Sequence, residues 1–139
     1  MTTPRNHPRL DDPRQAAEHF GHVCNPHNFG EYTLMVAWCD REGTPLHHQE
    51  IVDCDPDAGP SDCTTVLTNL VAMADDADRC VPAGLALALT RPGGEHIQPL
   101  DRTWFRAFRR TCHTQGLTPF GVYLVGPYGV RPVHIDDAA

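Results

Sequence analysis

The stretch YTLMVAWC at 32–39 is apolar at even and odd positions alike. Side chains of a strand alternate between two faces, so a run like this is buried on both, whereas a half-exposed strand would alternate with polar residues. A chain containing it must cover a sheet from both sides. AGLALALT at 83–90 has the same character and reads as a second buried strand. Both point to an α/β (α+β) domain of three-layer type.

The remaining elements follow from local signals. Asp12 caps a first helix that has Pro13 at its first position and ends near Gly21, with Ala16, Ala17 and Phe20 on one face. CNPHNFGE reads as a loop, and Asp40-Arg41-Glu42-Gly43 as a hairpin turn into a more polar strand, TPLHHQEIVD. Cys63, Val66, Leu67, Leu70, Val71, Met73 and Ala74 recur at helical spacing after a Ser61 or Asp62 cap, with Met73 expected to pack. Asp101 caps a third helix with Trp104, Phe105, Phe108 and Cys112 inward and Gly116 as its stop. TPFGVYLVG is a strand, and YGVRPVHI an edge strand, because Pro132 has no N–H for a ladder. The predicted order is α-β-β-α-β-α-β-β: three helices and a mixed sheet of about five strands. One domain over 11–135 is expected, with residues 1–10 and 136–139 disordered.

Composition excludes several classes. All eleven basic residues are arginine, so no lysine can form a Schiff base. A net charge of −7 argues against a nucleic-acid coat. The N-terminus lacks a signal-peptide core and no run of about 18 apolar residues could span a bilayer, so a cytoplasmic protein without a membrane is expected. Six scattered cysteines without a Cys-x-x-Cys pair read as reduced, packed thiols. There is neither a nucleotide-binding loop nor a nucleophile elbow.

Three clusters remain. His19, His22, Cys24 and His27 have the ligand types for zinc, and offer a metal-dependent hydrolase as an alternative function. Their spacing fits no zinc motif, which favours histidines at the negative end of a helix. Asp53, Asp55 and Asp57 alternate like a calcium loop, but Ala58 and Thr64 stand where such a loop needs Gly and Glu. Arg102, Arg106, Arg109, Arg110 and His113 fall on one helical face, suited to another protein or, as a further alternative, to nucleic acid.

The turn LTRPGG at 89–94, then QPLD at 98–101 opening a helix, then QGLTPFGVYLVG, resembles the RadC-like branch of the JAB/JAMM metalloprotease-like family in layout over residues 13 to 131. The resemblance implies a zinc held by two turn histidines and an aspartate, with a hairpin glutamate moving the proton of a water and a serine helping to stabilise the transition state. Leu89 and Arg91 stand where the histidines would, Pro99 near the serine, Asp101 on the aspartate and Glu50 on the glutamate. Leucine and a guanidinium offer no lone pair to a metal. A non-catalytic, metal-free binding or regulatory module is therefore expected, recognising a protein or a small polar ligand through Glu50, Arg91, His96 and Asp101. Arg91 would replace the cation and pair with Asp101 or Glu50. The opposing expectation is a solvent-facing turn, with Asp101 only a cap.

Overall fold

A computed structural model describes residues 8–52, 54–76 and 82–134. Strand β1 (Thr33–Cys39) is buried at all seven positions, as its double-sided apolar pattern requires. Antiparallel neighbours flank it: β2 (Pro45–Ile51) on one side and β3 (Gly84–Thr90) on the other. Parallel to β3 runs β4 (Thr118–Gly126), and β5 (Gly129–Val133) closes the sheet antiparallel to β4. The resulting order is β2-β1-β3-β4-β5. The full element order is the predicted one, and the class is α+β.

The two faces are lined differently, and this sets what covers them. Leu34, Val36 and Trp38 join Leu85, Leu87, Leu89, Val122 and Leu124 on one face, beneath helices α2 (Pro60–Asp76) and α3 (Pro99–Gln115). Opposite lie Met35, Ala37, Cys39, Ala86, Ala88, Tyr123 and Val125, covered by Leu10, Cys24 and helix α1 (Pro13–Val23). Large residues meet two long helices; three alanines let one short helix lie close. Gly84 serves a similar close approach, since a Cβ there would stand 2.9 Å from the Thr118 carbonyl.

Several local expectations are corrected. Helix α1 continues past Gly21 to Val23, because the stop is Pro26, which restricts the residue before it. Pro26–Gly30 is not plain loop but a short 3-10 turn. Asp101 is not the N-cap of α3. That place is held by Gln98, with Pro99 at the first helical position and Asp101 at the third, where its carboxylate accepts the Gln98 N–H at 2.7 Å. Helix α2 begins likewise, Asp62 accepting from Gly59 N at 3.0 Å. Both starts read Pro-x-Asp, in which the acid accepts the N–H of the residue before the proline and meets the positive helix end. Met73 is 61% exposed rather than packed. Leu10, within the segment expected to be disordered, is buried, and its N–H bonds Gly43 O at 2.8 Å, so the packed domain reaches back beyond residue 11. Residues 1–7 and 135–139, Asp53 and Cys80 lie outside the described residues.

Candidate functional site

Strand β3 must be followed by a crossover, because β4 lies parallel to it. The turn after Thr90 and the start of α3 therefore sit together at the C-terminal end of β3, in the middle of the sheet. The antiparallel register, with Thr33 opposite Thr90, sets the preceding Tyr32 across from the following Arg91. Three distant pieces of chain thus converge.

At their meeting point Arg91 is 1% exposed and Asp101 fully buried. Arg91 Nε donates to Asp101 Oδ1 at 3.0 Å, and Nη2 to Oδ2 at 2.7 Å, a two-pronged ion pair. Nη1 donates to the carbonyls of Gly94 (2.8 Å) and Pro92 (3.2 Å), and Nη2 also to that of His96 (2.7 Å). All five guanidinium N–H groups are thereby satisfied within the chain. The carboxylate further accepts the Tyr32 hydroxyl at 2.5 Å. Burial alone would lower the pKa of Arg91, but its hydrogen bond to Asp101 and the charge of that carboxylate outweigh it and raise it. Burial pushes the Tyr32 phenol well above its ordinary range, reinforced by the charge of Asp101 and the bond to it. The cluster is a closed unit whose donors and charges are matched within the chain.

In front of it opens a cleft of about 510 Å³, lined by Gly30, Glu31, Tyr32, Cys54, Pro56, Pro92, Gln98, Pro99 and Leu100. Its walls are mostly apolar, with one carboxylate and one amide as polar features. Tyr32, Gln98 and the 3-10 turn ending at Gly30 escaped the sequence reading. The signal for Tyr32 lay in the pairing of β1 with β3, which only the sheet order reveals.

The other candidate residues do not join this site. Glu50 pairs in register with Met35, which faces α1, so its side chain belongs to the opposite face from Asp101, near Cys24. His96 contributes only its carbonyl, its ring being exposed. Leu89 is core. Arg106, Arg109, Arg110 and His113 are exposed on α3 and Arg102 half-buried, with Arg109 lying 5.9 Å over the Phe105 ring.

The four possible zinc ligands point apart. Cys24 is buried, and burial pushes its thiol up to about 12. His22 and His27 are exposed, while His19 meets His48 of β2, Nε2 to Nε2 at 2.7 Å. Among the described residues no group of three or more His, Cys, Asp or Glu could hold a metal ion. The same holds for Asp55 and Asp57, where Asp55 caps the turn by accepting Asp57 N at 2.8 Å. Burial likewise raises the thiols of Cys39, Cys63 and Cys112, leaving them unsuited to nucleophilic attack.

The His19 and His48 pair carries a pH dependence. Burial, then the charges of His48 and His22, lower the His19 pKa from 6.5 to about 4, and burial lowers that of His48 as well. The unfolded chain therefore takes up these protons first; the stability of the neutral pair is complete above pH 6.5 and lost as pH falls towards 4. Thermal melts should show the wild-type midpoint falling through this window more steeply than that of His19→Gln. Parallel curves for the two proteins would refute the assignment.

Among the described residues no helix is long and apolar enough to cross a membrane. Neither known protein-family profiles nor curated proteins match this sequence.

Proposed function

We propose that this protein is a metal-free binding module of JAB-like layout, which takes a short segment of another protein in the cleft beside Tyr32 and Pro99. What supports this is the closure of the Arg91 and Asp101 pair. With every guanidinium donor and the carboxylate engaged internally, the pair lies behind the residues that line the cleft and is not available for reaction or for gripping an anion. The ligand preference follows from what remains exposed. Proline, leucine and tyrosine surfaces accept an apolar chain, and Glu31 favours one carrying a positive charge over an acidic one. A carboxylate at the mouth of a net acidic protein disfavours nucleic acid.

Gly30 provides the test, because no atom lies within 4 Å of where its Cβ would be, so a large side chain can enter the cleft without strain. Titration of labelled protein with short proline- and leucine-containing peptides should shift the amide signals of Tyr32, Gln98 and Leu100. Peptides bearing arginine should bind more tightly than those bearing glutamate. Gly30→Phe should weaken that binding by at least about tenfold, equal to 1.4 kcal/mol, with an unchanged melting temperature. Shifts that avoid the cleft, or a Gly30→Phe protein that binds as well as wild type, would overturn the proposal.

A further inference from the structure

The two edges of the sheet are guarded unequally. On β5, Pro132 removes a donor within the strand, and Arg131 Nη1 reaches across to the Glu95 carbonyl at 2.7 Å. Proline and charge in such positions blunt an edge against pairing with another chain. β2 pairs with β1 alone, and its one proline, Pro45, stands at its very start, beside a register shift. From His47 to Ile51 the register is regular, and the strand contains no lysine or arginine.

The composition of this edge is symmetric about its centre. His48 and Glu50 flank Gln49 and lie on one face, in register with Ala37 and Met35. Leu46 and Val52, three residues to either side, are 44% and 46% exposed, two of the three exposed large apolar side chains among the described residues. A two-fold axis through Gln49 sets Gln49 opposite its own copy and His48 opposite Glu50 of the second chain, twice over. The same axis brings Leu46 of each chain to the end where Val52 of the other lies. Leu46 thereby meets Val52, and no two like charges stand directly opposite one another, where they would oppose the pairing. Slipping the pairing by two residues, to centre on His48, would put the apolar Leu46 against the charged Glu50.

We infer that a second copy of this chain occupies the β2 edge, antiparallel and in register about Gln49, making one continuous sheet across a symmetric dimer. A self-complementary patch of this kind is what an isologous interface requires. The inference is independent of what the cleft binds, since β2 contributes no cleft residue.

Sedimentation analysis from low to high micromolar concentration should show a reversible dimer. Gln49→Lys, which sets two cations face to face at the axis, should weaken it by about tenfold or more, with circular dichroism unchanged. Gln49→Cys should form an intermolecular disulfide under mild oxidation, since directly opposed residues lie within disulfide reach. Leu46→Cys and the wild type should not, because the two Leu46 residues would be about 20 Å apart. A protein that stays monomeric at high micromolar concentration overturns the inference. So does a dimer indifferent to Gln49→Lys and without the Gln49→Cys cross-link, which would use another surface.

Discussion

Replacing Asp101 with alanine is expected to destabilise the fold by about 3–5 kcal/mol, the loss typical when one member of a buried ion pair is removed. The cause is less the missing attraction than the stranded partner: Arg91 is 1% exposed and would keep its charge with no counter-ion. The Tyr32 hydroxyl and the Gln98 N–H would lose their acceptor in the same step. Against a total of about 5–15 kcal/mol for a domain, such a loss brings the protein close to unfolding at ordinary temperature. Urea titration followed by the fluorescence of the buried Trp38 and Trp104 would measure it. Removing both charges, as Arg91→Met with Asp101→Leu, should recover most of the stability, because an apolar pair needs no compensation. A single variant that loses less than about 1 kcal/mol, the value of a helix cap alone, would show that the pair is not what holds this corner.

Phe20→Ala is expected to have a comparable effect, about 3–5 kcal/mol in the same titration, as for a large aromatic deleted from a packed interior. Phe20 is fully buried and packs on Tyr123, with ring centroids 5.5 Å apart. The alanines of the sheet face beneath it offer little volume to collapse into the space. An eleven-residue helix is too short to hold its shape without packing. Its loosening would expose the whole second face of β1 and β3. Hydrogen exchange in those strands should quicken together with that of α1, and a variant in which only α1 is affected would indicate that the sheet survives uncovered.

Much of this architecture is legible in the chain because its causes are local. The double-sided apolar strands, the stop at Gly116 and the proline of the edge strand each express a rule acting within a few residues. The helix starts were legible as starts but not in their detail. Pro-x-Asp fits an acid at the third position as well as an acid at the cap, and only the backbone geometry separates them. The site was legible in part: an arginine after a buried strand and an aspartate at a helix start are suspicious together, and they do pair. Glu50 was misjudged because its face depends on register with β1, which the sequence of β2 does not state. The histidine cluster failed for the same reason, His19 finding His48, twenty-nine residues away, instead of its neighbours. Tyr32 was overlooked because a residue just before a strand has no periodic signature of its own.

The junction of Tyr32, Arg91 and Asp101 also acts as a proofreader of strand alignment. Sliding β1 by one position against β3 would turn Tyr32 to the far side of the sheet and leave the carboxylate short of a donor in the interior. An error that a greasy core would forgive is thus made expensive at a single point, so the long hydrophobic strands of this chain are held to one arrangement by a hydroxyl.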